Sequence, residues 1–237
     1  MTGISINQLM QTSGVAFGTS GVRGLVAQMS DELCAAYTTA FLKVIKTSFD
    51  VNRIAVGIDL RPSSPRIAAA CAASIIAEGF KVDYCGELPT PALAYYAQQA
   101  QIPAIMVTGS HIPFDRNGIK FYRPDGEISK ADESAIVGSH LDGLPILENI
   151  ALPEVNLTAI AAYRQRYLDY FPPNSFAGLR LGLYEHSSVA RDVFRQILEA
   201  LGAEVISLER TSTFVPIDTE AVGIDDIMRG LRWSDKY

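Results

Sequence analysis

The residues best suited to chemistry are a serine and a histidine that follow directly on an apolar run. Ala104 to Val107 are apolar, and Thr108-Gly109-Ser110-His111 comes next. The run predicts a buried strand, and open α/β sheets collect ligands beyond the carboxyl ends of their strands. Ser110 is therefore a candidate nucleophile, with His111 either carrying a proton or bracing the loop. An ordinary surface loop can hold the same pair, so the pair by itself does not identify a functional site.

Two other polar segments could meet this one at the same edge of the sheet. Gly18 to Gly24 brings three glycines and Arg23, whose guanidinium is a forked donor for an anion. Asp59 to Ser64 follows the end of another predicted strand. An ordinary glycine-rich turn explains the first segment equally well, and Asp59 with Arg61 would make a good structural brace.

Composition predicts a folded protein that does not bind nucleic acid. The 237 residues are 48% hydrophobic and 19% charged, and the formal net charge is −6. A nucleic-acid binder needs a basic face, whereas a small phosphorylated ligand needs only a few cations in one place. The cations close to glycine-, serine- or proline-rich loops are Arg23, Arg61, Arg66, Arg116, Lys120 and Arg123.

The cysteines and the N-terminus predict a cytoplasmic protein. Cys34, Cys71 and Cys85 are odd in number and lack CxxC spacing, so we expect buried thiols in a reducing compartment. The first residues show no basic region followed by an apolar core, so no secretory signal is expected. The uncharged run from Leu88 to Phe114 contains four prolines, which excludes a membrane span.

The order of elements predicts an α/β fold. Predicted strands cover 53–59, 80–84, 104–107, 179–184 and 204–208, and predicted helices cover 30–49, 64–78, 90–100, 129–141, 156–171, 188–201 and 224–231. This alternation predicts a mixed, mostly parallel sheet with helices on both faces. Asn117-Gly118 predicts a tight turn that leads into one antiparallel strand at the sheet edge.

The same pattern predicts two domains. Residues 1–145 would form a complete α/β domain, with a linker over Gly143 to Pro153. Residues 154–237 would form an incomplete second α/β domain, because the alternation stops after two clear strands. Such a domain leaves a sheet edge and apolar helix faces uncovered, which favours a homo-oligomer formed through it.

Several catalytic motifs can be excluded. The glycines at 18 and 21 do not make GxGxxG, and no Gly-Lys-Ser or Gly-Lys-Thr occurs. A hydrolase nucleophile elbow needs glycine two residues before and two after the serine, but Thr108 and Ile112 occupy these positions. Phosphoryl chemistry remains, in which a serine carries the group and cations hold its charge.

Four segments resemble the α-D-phosphohexomutase family. Thr108 to Pro113 with Asn117 to Lys120 resembles its phosphoserine loop, usually Thr-Ala-Ser-His-Asn-Pro. Phe17 to Gly24 resembles its FGTSGxRG signature, and Asp59 to Ser64 resembles its D-x-R-x-S-S motif. Tyr184 to Asp192 resembles the second-domain opening of the phosphomannomutase branch. Two positions depart from the loop pattern. Gly109 replaces alanine, a mild change, and Ile112 replaces asparagine, which removes an amide.

The resemblance implies an isomerase that moves phosphate between O6 and O1 of a hexose phosphate, with mannose as the expected sugar. Ser110 would be the phosphoserine and a ligand of Mg²⁺, and His111 would orient or relay a proton. Arg23 and Lys120 would bind the substrate and stabilise the transferring oxygens. A hexose 1,6-bisphosphate would act as activator.

The family's Asp-Gly-Asp-Gly-Asp-Arg metal loop and the loops of its third and fourth domains have no match in these 237 residues. The chain therefore resembles the N-terminal half of such an enzyme, and we expect it to be inactive alone. The alternative is a non-catalytic truncated or split module that acts through protein–protein association.

Overall fold

The structure is a computed structural model that describes residues 3–18, 21–147, 151–215, 217 and 222–237. It divides into two units. The first contains Met1–Gly109 and Asp115–Tyr163, and the second contains Ser110–Phe114 and Arg164–Tyr237. Each is described by itself.

The first unit alternates strands and helices. Its strands are β1 (Ile4–Ser5), β2 (Ala16–Phe17), β3 (Gly21–Leu25), β4 (Arg53–Ile58), β5 (Lys81–Glu87), β6 (Ala104–Val107), β7 (Arg116–Arg123), β8 (Gly126–Glu127) and β9 (His140–Leu141). Its helices are α1 (Ile6–Ser13), α2 (Asp31–Ser48), α3 (Ser64–Ala77), α4 (Thr90–Ala100), α5 (Lys130–Val137) and the start of α6 (Thr158–Tyr170). The predicted strands β4 to β6 and helices α2 to α6 are confirmed, with shifts at their ends.

The central sheet is mixed, with the strand order β2-β3-β7-β6-β4-β5 and β8 paired to β7. β4 runs parallel to both β5 and β6. β7 runs antiparallel to β6 on one side and to β3 on the other. The predicted mixed α/β fold class is confirmed, and the sheet has a larger antiparallel part than the sequence indicated.

The predicted turn at Asn117-Gly118 is wrong. Both residues lie inside β7 and are buried. The Asn117 side chain donates to the hydroxyls of Ser63 and Ser64, at 2.8 and 3.0 Å, instead of closing a turn. β7 is therefore an interior strand of the sheet and not the predicted antiparallel edge.

β4 and β6 carry apolar side chains on both sides, as expected for strands that are covered on both faces of the sheet. On one face Val56 and Ile105 belong to a core that includes the stacked rings of Phe41 and Phe121, 4.7 Å apart. On the other face a smaller core joins Met106 to α4. The three cysteines are buried free thiols, as predicted.

The second unit holds a short parallel sheet. β10 (Arg180–Tyr184) pairs in register with β11 (Glu204–Leu208), and α7 (Arg191–Ala200) connects them. α8 is Ile224–Lys236, which is longer than predicted. α7 buries Val193 and Ile197. Among the described residues, no helix combines the length and apolarity needed to span a bilayer.

Candidate active site

Ser110 stands three residues after Val107, the last residue of β6, and its side chain is exposed. Its φ is +49°, in the left-handed region that residues other than glycine seldom adopt. Its Oγ lies 3.5 Å from Nδ1 of His111, at the long end of hydrogen bonding. A non-glycine residue held in such a conformation is a reasonable candidate for function.

The segment before Ser110 is held by the carboxylate of Asp59, just after β4. Asp59 Oδ2 accepts hydrogen bonds from Gly109 N at 3.0 Å and from Thr108 Oγ1 at 2.9 Å. Its Oδ1 accepts from Arg61 N at 3.0 Å and from Ser64 Oγ at 2.6 Å. One side chain therefore fixes its own turn and the residue that precedes the serine.

Arg61 is a buried cation, only 3% exposed, and it reaches the far end of the same loop. Its Nη1 donates to the carbonyl of Arg116 at 2.9 Å, and its Nε lies 3.4 Å from Asp59 Oδ2. Burial lowers the pKa of Arg61, an effect that the Asp59 charge opposes. These contacts support the interpretation of Asp59 and Arg61 as a brace.

Gly109 is packed closely against the end of the Arg61 side chain. A Cβ at Gly109 would lie 2.2 Å from both Cζ and Nε of Arg61. An alanine here requires the end of the Arg61 side chain to shift. This contact is not predictable from the sequence, because residues 61 and 109 are far apart in the chain.

Asn117 completes the support and was missed as a functional residue. It joins β7 to the first turn of α3 through Ser63 and Ser64, and its Oδ1 accepts from Gly118 N at 2.8 Å. Its place beside a glycine led to its interpretation as a turn residue. The only usable signal was a polar residue in an otherwise strand-like run.

Arg23 and Lys120 lie on neighbouring strands of the first unit. Arg23 on β3 pairs with Gly118, and Lys120 on β7 pairs with Gly21. Cross-strand partners share a face, so both cations lie on one face as diagonal neighbours. Neither has a hydrogen-bond or ion-pair partner among the described residues. The sheet therefore brings these two predicted site residues together.

The described residues from Gly21 onward in the Gly18 to Gly24 segment form a strand and not a loop. Gly18 N donates to Gly21 O at 2.8 Å, and β3 begins at Gly21. The Arg23 guanidinium packs over Gly18, where a Cβ would lie 2.7 Å from Nε. Thr19 and Ser20 of the matched signature lie outside the described residues.

Two other cations near loops, Arg66 and Arg123, are engaged in ion pairs and are poor candidates for anion binding. Arg66 pairs with Asp31. Arg123 lies 2.7 Å from Asp125 and 3.1 Å from Asp132, and a hydrogen bond from Arg123 lowers the pKa of Asp125. Lys120 instead opens onto a groove of about 400 Å³ beside the start of α4.

A larger groove, of about 620 Å³, lies at the amino ends of β4 and β5, the opposite ends of these strands from Asp59. Arg53, Lys81 and Asp50 line it. None of the predicted site residues contributes to it, so we do not assign the site there.

The described residues do not by themselves fit a Mg²⁺ site. No group of three or more histidine, cysteine or carboxylate side chains converges in the described ranges. Asp225 and Asp226 both fall in the first turn of α8, and Asp226 lies 2.7 Å from Arg229. Ser110 is the one ligand that the sequence proposes.

Fold and site together define a mixed α/β protein with a serine-bearing loop beyond a central strand. The sequence profile of the domain described as "Phosphoglucomutase/phosphomannomutase, alpha/beta/alpha domain I" matches residues 14–142. The chain belongs to the phosphoglucomutase/phosphomannomutase family of enzymes.

Three relatives of this chain are described as mutases. A phosphomannomutase of Salmonella muenchen is 48% identical over 229 residues, covering 97% of this chain and 48% of the relative. A phosphomannomutase of Sinorhizobium fredii is 42% identical, with 94% and 49% covered. A phosphoglucosamine mutase of Carboxydothermus hydrogenoformans is 32% identical, with 84% and 46% covered. The chain thus spans about half the length of these relatives.

Solved structures share the fold. A phosphoglucomutase/phosphomannomutase family protein of Burkholderia thailandensis superposes with a TM-score of 0.68 at 21% identity, over 88% of this chain and 45% of that one. A Thermus thermophilus structure superposes with a TM-score of 0.76 at 21% identity, over 92% and 51%. At these identities the likeness concerns the fold alone.

Proposed function

We propose that this chain supplies the phosphoserine of a hexose phosphate mutase, with Ser110 as the residue that carries the phosphoryl group. The observation that carries the proposal is the strained, exposed Ser110 beside His111, just beyond β6. Membership in the mutase family supports the same reaction class. As the chain spans about half of its relatives, we propose that it does not complete the reaction alone.

The proposed transfer exchanges phosphoryl groups between the sugar and Ser110 and needs no other reactant. A hydroxyl of the hexose monophosphate attacks phospho-Ser110, so a sugar O–P bond forms and the serine O–P bond breaks. The hydroxyl proton leaves through His111 or solvent, and Ser110 recovers a proton on its oxygen. The resulting bisphosphate turns round and returns its other phosphoryl group to Ser110 by the reverse step.

Arg23 and Lys120 hold the phosphate oxygens in this proposal. Two cations on one face of the sheet, unpaired among the described residues, are suited to the negative charge of a phosphate. Gly21 and Gly118 lie across from them and add no side chain beside the two cations on these strands.

We propose mannose phosphate as the substrate and hexose 1,6-bisphosphate with Mg²⁺ as the required additions. Higher identity to phosphomannomutases than to a phosphoglucosamine mutase supports mannose. Bisphosphate is needed because an unphosphorylated Ser110 has no group to donate. The Mg²⁺ ligands besides phospho-Ser110 would come from outside the described residues.

The test is phosphate incorporation from ³²P-labelled mannose 1,6-bisphosphate with Mg²⁺, followed by peptide mapping. We expect label on Ser110 and no label in Ser110→Ala. Ser212 is an exposed serine of the second unit, so Ser212→Ala is the matched control and should take up label normally. Label on Ser63 or Ser64, or uptake by Ser110→Ala, would show that Ser110 is not the acceptor.

A second candidate function is association with another copy of this chain through the second unit. The specific observation is an exposed apolar stripe on α8, formed by Ile224, Ile227, Met228 and Leu231. These residues follow helical spacing and so share one face. Sedimentation analysis tests it, since a monomer at all concentrations contradicts the proposal.

A further inference from the structure

We propose that Asp59 and Arg61 are positioning residues that set the backbone of the Ser110 loop for phosphoryl transfer, which rests on the proposed function of Ser110. These two side chains are called the loop clamp. Neither is the nucleophile or a partner of the substrate in this proposal. They act on the residues at the two ends of the loop.

The loop clamp fixes Gly109 from two sides. The Asp59 carboxylate accepts the Gly109 N–H at 3.0 Å. The Arg61 guanidinium fills the space where a Cβ of residue 109 would stand, 2.2 Å from that position. Gly109 is joined to Ser110 by one peptide bond, so a fixed Gly109 limits the directions in which the serine can leave the sheet.

The loop clamp also fixes the far end of the loop. Arg61 Nη1 donates to the carbonyl of Arg116, the first residue of β7. Thr108 N donates to Gly118 O at 3.0 Å, which marks where the two strands separate. Asp59 and Arg61 therefore control both points at which the chain enters and leaves the segment 110–114.

Burial and charge argue that this arrangement is held firmly. Arg61 is 3% exposed and Asp59 shows only 13% of its side chain. A buried charge is tolerated when it is paired and hydrogen-bonded, and each of these charges is the other's partner. Since reacting groups must be held to within about 1 Å for fast transfer, a loop anchored this way is suited to the reaction.

The first test measures amide hydrogen exchange in the loop of Asp59→Ala, with Asp83→Ala as a matched control. Asp83 is also a mostly buried carboxylate, which accepts from Tyr96 and Asn156 and not from the loop. We expect exchange at Gly109 to rise about tenfold or more in Asp59→Ala and to stay unchanged in Asp83→Ala. Unchanged exchange in Asp59→Ala, or an equal rise in both, would overturn the loop clamp.

The second test uses Arg61 and stays informative if Asp59→Ala fails to fold. Gly109→Ala adds the methyl group that collides with Arg61, so in the parent chain it should speed loop exchange. In an Arg61→Ala background the collision is removed. Gly109→Ala should then change the loop exchange rate at least about threefold less than it does in the parent chain. Equal effects in the two backgrounds would contradict the proposed contact.

The third readout separates positioning from a purely structural role. In the labelling assay, folded Asp59→Ala should lower the maximal rate of Ser110 phosphorylation, with the half-saturating bisphosphate concentration unchanged. An unchanged maximal rate would reduce the loop clamp to a structural brace. If the parent chain takes up no phosphate, the proposed function fails, while the exchange measurements still decide the loop clamp.

Discussion

Glu185 Oε1 accepts a hydrogen bond of 2.9 Å from Arg195 Nε, which ties the residue after β10 to α7. Ser207 on β11 donates to Oε2 of the same carboxylate at 2.8 Å. The Glu185 side chain is fully buried and links α7 and β11 through these hydrogen bonds. Burial alone would raise the pKa of Glu185, but hydrogen bonds from Arg195 and Ser207 and the arginine charges lower it overall.

This lowered pKa predicts acid destabilisation of the second unit. The unfolded chain holds Glu185 at an ordinary pKa of about 4.3, so between the folded and unfolded values it binds more protons than the folded chain. The contribution of Glu185 to the free energy of unfolding should be complete above about pH 4.3 and should decrease as the pH falls below this value. Urea denaturation followed by Trp233 fluorescence measures this, because Trp233 packs 4.9 Å from Tyr184.

The matching variants are Glu185→Gln and Glu199→Gln. Glu185→Gln removes the charged acceptor, so it should lower the free energy of unfolding by about 2 kcal/mol at neutral pH. It should also reduce the dependence of this free energy on acid pH. Glu199 is an exposed partner of the same arginine, so its loss should cost less than about 0.5 kcal/mol. Equal pH profiles for the parent and Glu185→Gln would show that Glu185 is not the titrating group.

Loss of Lys120 or Arg23 should weaken phosphate transfer more than folding. Each alanine variant should slow Ser110 labelling roughly a hundredfold, as for other groups that stabilise transferring charge. Lys81→Ala is the control, since Lys81 is an exposed lysine on β5 of the same sheet. Near-normal labelling by Lys120→Ala, combined with a lower Tm, would mark the residue as structural.

Gly21→Ala should destabilise the first unit strongly. An added Cβ would lie 2.1 Å from the carbonyl oxygen of Ile119 on β7, which is backbone and cannot turn away. We expect a loss of about 3 kcal/mol by chemical denaturation, as for other overpacked positions. Gly143→Ala meets nothing within 4 Å and serves as the control. Similar stabilities would contradict the close approach of β3 to β7.

Leu231→Glu should abolish self-association if α8 forms the contact. A carboxylate in the middle of the apolar stripe would have to be buried without a partner. Ile146→Glu is the control, because Ile146 is 82% exposed and lies in the first unit. Association that survives Leu231→Glu, measured by sedimentation velocity, would place the interface elsewhere.

Elements with local signals were predictable from the sequence. Ser30 predicted the start of α2, and its hydroxyl accepts from Leu33 N at 3.2 Å. Gly79 predicted the end of α3 and has a φ of +85°. β3 was not predictable, because its glycines resemble a loop and its partner β7 lies about 90 residues later. The same distance hid the interior position of β7.

The candidate site was predictable by residue type and not by contact. Ser110, His111, Arg23 and Lys120 are nucleophilic or cationic residues near strands and glycines, and the resemblance to the mutase family supplied their expected roles. That Arg61 rests on Gly109, and that Asn117 bridges to Ser63, could not be inferred, because side-chain packing between distant segments leaves no periodic signal. The roles of the selected residues remain predictions.

The pairing of β3 with β7 also has a consequence for synthesis on the ribosome. β3 ends at Leu25, whereas its partner begins at Arg116, so 91 further residues must be made before the two can pair. At ordinary translation rates this is a delay of roughly 5–20 s. During that time β2 and β3 can pair only with each other, while α2 and the parallel strands β4 and β5 are completed. The segment that holds Arg23 is therefore synthesised well before β7 and joins the rest of the sheet only after β7 is made.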